Sequence, residues 1–318
     1  TPDRDELFVT SNFKNLLGGR GSDILHGGDG TNRLSGGLDA DRFLWSPGLD
    51  FIHGGQVNTP YQRDGEDVAA YGGAGVVRID GNPLPVAHLL PNLIVNYQGG
   101  RDLLFSIERL QWNQGNDEII FGEWAVISRD NTLFDLKGDE GGRGDKVSFN
   151  EVTNELLINA VNSDRLSIKG QAAEGDATWF LDSVEWIEGS SRNDTIYANS
   201  GLRVIDGEKE DEFIHARLAP AFAGGSPGGY DIELYGGDGN DTLLTGEGRT
   251  FVQGGDGADR IVLTTISDGR GTPELIIDDA GTNDRLFVAY NFFNGSGGGF
   301  EGSQLLPVLG GLFPFELL

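Results

Sequence analysis

A chain of 318 residues has room for one large repeat array or two ordinary domains, and 51 glycines beside a 37% hydrophobic fraction mark glycine as structural rather than a sign of disorder. Fifty acidic against 23 basic residues leave a net charge of −27, which disfavours nucleic acid and anionic membranes as partners and favours cations. Cysteine is absent, so no disulfide staples the fold, and no signal peptide or bilayer-spanning apolar run is legible. A chain without methionine, even at position 1, reads as a processed piece of a longer protein.

In chain order, residues 1–17 run from a charged DRDE through LFV to NLL, and are predicted to form an N-terminal cap of one or two strands. Residues 18–44 read GGRGSDILH, GGDGTNRLS and GGLDADRFL, three nine-residue units without a gap. Place 6 holds Asp23, Asn32 and Asp41, and place 8 holds Leu25, Leu34 and Phe43. From Trp45 the nonapeptide fades and a longer repeat takes over, with one β module at 45–121 and a second at 122–198. SIERLQWNQGNDEI (106–119) aligns without a gap on SVEWIEGSSRNDTI (183–196) at an offset of 77 residues. DVAAY (67–71) answers DKVSF (145–149), and VRID (77–80) answers LLIN (156–159). Alternation in VVRID and VEWIE predicts strands. The stretches 83–93 and 163–170 lack strand character, and the prolines of the first predict a loop.

Nonapeptides return over 189–262. The units GSSRNDTIY, ANSGLRVID and GEKEDEFIH are degenerate in glycine but keep Ile196, Ile205 and Ile214 at place 8. Residues 216–235 are predicted to be one turn swollen into a loop. GGDGNDTLL, TGEGRTFVQ and GGDGADRIV (236–262) then restore the strict pattern. Glycine at places 1, 2 and 4 permits tight turns, and aspartate at place 6 aims a carboxylate at inward-facing carbonyls, the all-oxygen cage a hard cation requires. Residues 263–318 read as closing strands and an apolar terminus, LLPVLGGLFPFELL, that serves as a cap, a secretion signal or both.

These units are similar to those of the repeats-in-toxin (RTX) family of secreted bacterial calcium-binding proteins. The resemblance implies an all-β fold, a parallel β-roll or β-helix solenoid with calcium in its GGxGxD turns, here carrying the two longer modules. It also implies folding coupled to calcium outside the cell or at its surface, and type I secretion. Each nonapeptide is then half a coil, and an ion lies between a turn and the next but one. Carried onto this sequence, Asp23 and Asp41 hold one ion with the carbonyls of Gly18, Arg20, Gly37 and Asp39. Asp241 and Asp259 hold another with those of Gly236, Asp238, Gly255 and Gly257. Asp39 departs from the pattern, standing where glycine is usual. A weaker third site would use Asp194 and Glu212, or Asp211 in place of Glu212. Asp194 and Glu212 lie on the same side as the other place-6 aspartates, and the opposite side reads Asn32, Arg203 and Thr250.

No motif of a known catalytic centre is present. The four histidines, His26, His53, His88 and His215, read as surface residues. The adjacent acids Asp278-Asp279 and Glu210-Asp211-Glu212 read as solvated charge. Trp112, Trp124, Trp179 and Trp186 read as core, with a sugar platform as the alternative. The expectation is an extracellular, non-enzymatic structural or interaction module that binds calcium and a protein partner or its parent chain. The alternative is a carbohydrate-active, lyase- or epimerase-like β-helix enzyme or a sugar-binding module acting on polysaccharide.

Overall fold

The computed structural model describes residues 4–8, 14–55, 66–72, 74–81, 93–112, 117–122, 133–135, 144–161, 165–170, 179–198, 201–216, 232–245, 249–266, 274–278, 283–291 and 315–316. Every regular element among them is a β-strand, and none is a helix long and apolar enough to cross a membrane. The expectations for His88, Trp124 and residues 217–231 lie outside the described residues, as does most of the apolar terminus.

Two compact units divide the chain. The first comprises Thr1–Asp139 with Ala173–Ser183, the second Glu140–Ala172 with Val184–Leu318. Within each, the chain passes alternately between two sheets, so that a strand pairs with the next but one. In the first unit Glu6–Phe8, Ile24–His26, Arg42–Leu44, Val68–Ala70, Arg109–Gln111, Leu133–Asp135 and Trp179–Asp182 lie side by side, all parallel. In the second, Thr195–Tyr197, Phe213–His215, Thr242–Leu244, Arg260–Ile266 and Arg285–Asn291 do the same. Its other sheet runs through Lys146–Ser148, Trp186–Glu188, Val204–Asp206, Ile232–Gly239, Arg249–Gly257 and Glu274–Asp278.

The nine-residue spacing sets this pattern. Strand side chains alternate faces, so in a three-residue strand at places 7 to 9 the middle residue points to the interior. Leu25, Phe43, Ile196, Ile214, Leu243 and Ile261 are accordingly buried to within 1%. On the other sheet of the second unit Ile187, Ile205, Leu234 and Val252 stack in register, all with no exposed surface. Each such side chain contributes roughly 1.5–3 kcal/mol of burial.

Not all pairing is parallel. In the first unit Val77–Gly81, Leu93–Tyr97 and Gly100–Phe105 form an antiparallel meander, and its last strand lies parallel to Gly48–Gly55. Gly99, at φ +99°, makes the tight reversal between Tyr97 and Gly100. In the second unit Leu156–Ala160 pairs antiparallel with Arg165–Gly170, so this segment is a strand where the sequence suggested none. Leu93 likewise opens a strand rather than closing a loop. In Arg165–Gly170 only Leu166 and Ile168 are buried, so the apolar signal is short.

The nonapeptide register also continues past Leu44. Gly48–Gly55 pairs residue for residue with Gly30–Leu38, and Asp50 and Ile52 fill places 6 and 8 of WSPGLDFIH. The two long repeats share one hydrogen-bonding pattern. The Asp67 N–H donates to Glu108 Oε2 and the Asp145 N–H to Glu185 Oε2, and Ser106 and Ser183 take positive φ of 51° and 60° two residues before those glutamates. At the end of the chain Phe315–Glu316 pairs with Arg285–Asn291.

Truncating the centre of the aliphatic stack should be costly. Ile205→Ala is expected to destabilise the second unit by about 2–5 kcal/mol, read by urea unfolding.

Candidate metal centres

The place-6 carboxylates form a column in each unit, and every member is buried. Asp23, Asp41 and Asp67 expose 1% of their surface in the first unit, and Glu212, Asp241, Asp259 and Asp284 no more than 2% in the second. Their two oxygens do different things. In the aspartates, one accepts the backbone N–H of the residue at the same place in the preceding stacked turn. Asp23 donates to Asp41 Oδ1 at 2.9 Å, Asp41 to Asp67 Oδ1 at 2.8 Å, Asp241 to Asp259 Oδ1 at 2.9 Å and Asp259 to Asp284 Oδ1 at 3.0 Å. The other oxygen turns into the glycine turn of its own unit. A Cβ on Gly18 would lie 2.5 Å from both Asp23 Oδ2 and the Gly36 carbonyl oxygen, and one on Gly236 would collide with Asp241 Oδ2 and the Gly254 carbonyl.

Asp23 Oδ2 and Asp241 Oδ2 are buried and receive no hydrogen bond from any described donor. A buried carboxylate oxygen left in that state is costly, by about 1–3 kcal/mol or more. The Gly36 and Gly254 carbonyls lie beside these oxygens, and the turns are stacked in register, Gly19 on Gly37 and Arg20 on Leu38, as Gly237 is on Gly255 and Gly239 on Gly257. A hard divalent cation fits this donor set, with charge from the carboxylates and further oxygen from the backbone.

Departures from the glycine pattern keep the same backbone. Asp39 adopts φ +78° where glycine is usual, and its Oδ2 accepts the Gly21 N–H at 3.1 Å. Aspartate tolerates this conformation better than most residues. In the degenerate unit Glu208 and Glu210 take φ of 79° and 71° at places 2 and 4, matching Gly237 and Gly239 of the next turn. Glu212 then sits where aspartate stands elsewhere. Neither of its carboxylate oxygens receives a hydrogen bond from a described donor, and its N–H donates to Asp241 Oδ1 at 2.8 Å. Burial, then contact with the Asp241 carboxylate, pushes the Glu212 carboxyl up to about 11. Burial raises Asp241 as well.

Asp194 and Glu212 stand in neighbouring stacked turns, with Thr195 paired to Phe213 and the Phe213 N–H donating to the Asp194 carbonyl at 2.9 Å. Asp194 is filled by hydrogen bonds from Ser190 N and Oγ and from Leu156 N, and burial lifts its carboxyl to about 6. Glu212 lies between the two, feeling the Asp241 carboxylate most and the Asp194 charge as well. The sequence did not reveal Asp67 or Asp284, which hold the same place after longer excursions of the chain. The available signal was the Gly54-Gly55 pair before Asp67: a Cβ on Gly54 would collide with Asp67 Oδ2, as one on Gly36 would with Asp41 Oδ2.

Another acidic group in the second unit, buried Glu188 with half-buried Asp206 and Glu208, brings ligand atoms within 4.8 Å of one another. Lys146 pairs with Glu188 there and lies 4.7 Å from the Trp186 ring. Trp112 is a core residue with 1% exposure, whereas the Trp179 side chain lies outside the description. His26 stacks on Phe8 at 4.2 Å beside Glu6, and His215 packs edge-on to Tyr197.

The family model of the RTX calcium-binding nonapeptide repeat matches residues 15–43, 182–208 and 234–263 in four copies. A search of curated proteins finds no match to the chain. Gly18→Ala is expected to close the cradle around Asp23 and abolish the cation affinity of that turn. Calcium titration calorimetry should show the loss as one missing equivalent.

Proposed function

For a chain that carries RTX calcium-binding nonapeptide repeats, we propose an extracellular structural or interaction module, a β-roll solenoid in which calcium binding completes the fold. The observation that carries this reading is the pair of buried, unpartnered oxygens, Asp23 Oδ2 and Asp241 Oδ2, each aimed into a glycine turn. One ion is assigned to Asp23 and Asp41 with the carbonyls of Gly18, Arg20, Gly37 and Asp39. A second is assigned to Asp241 and Asp259 with those of Gly236, Asp238, Gly255 and Gly257. Glu212 supplies a third place together with Asp241, across turns that lack glycine at places 2 and 4.

The role follows from charge and chemistry. A net charge of −27 opposes compaction, and ions bound only by the folded chain both neutralise it and stabilise by mass action. Calcium is abundant outside cells and scarce within, so such a chain folds where it is delivered. Export by a type I route and attachment to a parent chain or protein partner fit that logic. The chain's own residues supply position and charge, and no catalytic step is assigned to them.

Three outcomes test the reading. Excess EGTA should lower the melting midpoint well below that in millimolar calcium, and equal midpoints in scanning calorimetry would make the ions incidental. Asp241→Asn should remove at least one equivalent of calcium, whereas Thr250→Ala, in the opposite sheet, should remove none. The third concerns protons. Ion-free Glu212 is raised from the ordinary 4.5 to about 11, so it stabilises the ion-free fold below its unfolded value and loses that contribution as pH rises through 11. Calcium must displace this proton. Titration at pH 8 in buffers of different ionisation enthalpy should therefore show about one proton released, and Glu212→Gln should abolish that release.

A further inference from the structure

The first unit has a second polar column, in the sheet opposite its calcium-type column. Lys14, Asn32, Asp50 and Asp102 stand side by side there in register. Asn32, Asp50 and Asp102 expose no more than 1% of their surface. Asp50 Oδ1 accepts from the Asn32 N–H at 3.1 Å and from Asn32 Nδ2 at 2.9 Å, and its Oδ2 accepts from Ser46 Oγ at 3.2 Å. Asp50 is thus closed by neutral donors.

Asp102 is different. Its Oδ1 accepts the Asp50 N–H at 3.3 Å and lies 2.8 Å from the Tyr97 hydroxyl, while its Oδ2 is 3.0 Å from the Tyr71 hydroxyl. The Tyr97 hydroxyl is also 3.0 Å from the Ser46 carbonyl oxygen. A phenol has one hydrogen and cannot serve both acceptors. With Asp102 ionised, the Tyr97 hydrogen reaches either the Ser46 carbonyl or Asp102 Oδ1, and in the first case two oxygens face each other at 2.8 Å with no hydrogen between them. A hydrogen on Asp102 resolves the conflict: Asp102 donates to Tyr97, and Tyr97 donates to Ser46. The surroundings favour this. Tyr97 packs edge-on to Trp45 and Tyr71 packs against Trp112. Asp50 supplies a second negative charge from the adjacent strand, whereas Arg101, the neighbour on the same strand, is turned outward to Asn96. His53, also on the strand Gly48–Gly55, stacks on Phe105.

We propose that Asp102 holds a proton in the folded chain, so that this column is sealed by hydrogen where the opposite column offers its carboxylates to calcium, and that mild acid tightens the first unit. Burial, with a smaller push from Asp50, raises the Asp102 carboxyl from 3.8 to about 7 against the pull of the two tyrosines. Because the folded value lies above the unfolded one, the contribution is fully present below about 4 and is lost as pH rises through 7. Calcium turns respond in the opposite sense, since acid competes with the ion for its ligands.

The test uses the full chain in excess EGTA. Difference infrared spectroscopy should show a protonated carboxylic acid whose band titrates near pH 7. Asp102→Asn should remove that band, and Tyr97→Phe, which deletes the proton's acceptor, should shift it. Asp102→Asn places an amide donor where the acid hydrogen would be. Between pH 5 and 8 its melting midpoint should therefore fall less than that of the wild type, by the equivalent of about one proton. A band indifferent to both substitutions, or equal pH slopes in wild type and Asp102→Asn, would overturn the proposal. Should Asp102→Asn fail to fold, the wild-type and Tyr97→Phe spectra still decide.

Discussion

One contact recurs through both units: a backbone N–H of one turn donating to the place-6 carboxylate of the turn stacked beside it. It fixes register, because the donor and acceptor occupy the same place in their units. It also buries a charge. A carboxylate with one oxygen bound and one oxygen bare is stable only if something positive meets the bare atom. The stacking of the strands and the demand for a cation therefore arise from the same side chain. In the first unit the opposite sheet answers that demand differently, with Asn32, Ser46 and two tyrosines around Asp50 and Asp102.

Glycine enters this arrangement for two separate reasons. At place 1 it leaves room for the carboxylate, as the collision of any Cβ on Gly36 with Asp41 Oδ2 shows. At places 2 and 4 it supplies positive φ. The first requirement is steric and is kept at Gly189 and Gly207 even in the degenerate block. The second is a matter of about 1–2 kcal/mol per residue, and Asp39, Glu208 and Glu210 override it. Degeneracy in the repeat is thus selective. In the turns of Asp194 and Glu212 the chain gives up conformational ease before it gives up the space for the carboxylate.

This distinction explains what could be read from the sequence. Asp23, Asp41, Asp241 and Asp259 were legible because their glycines and strands fall within nine contiguous residues. Asp50 was hidden by Trp45, Ser46 and Pro47 in places 1 to 3, although Gly48 and Ile52 still kept the pattern. Asp102 could not be found by any period, because an antiparallel meander returns it to the Asp50 column 52 residues later. The partner of Asp194 was equally invisible, since Leu156 reaches it across 38 residues. Periodicity reveals contacts that the chain makes with its own repeat, whereas contacts made through a reversal depend on tertiary packing.

The spacing between successive members of the carboxylate column carries a last consequence. It is 18 residues from Asp23 to Asp41 but 26 from Asp41 to Asp67, 29 from Glu212 to Asp241 and 25 from Asp259 to Asp284. The strands on either side pair in unbroken register each time. Only the paired strands and the acid are held each time, so the intervening length is nearly free, and loop-closure entropy rises slowly with added residues. The frame thus keeps its register across segments of unequal length. Length can diverge at these points in the sequence while the ladder of paired strands stays constant.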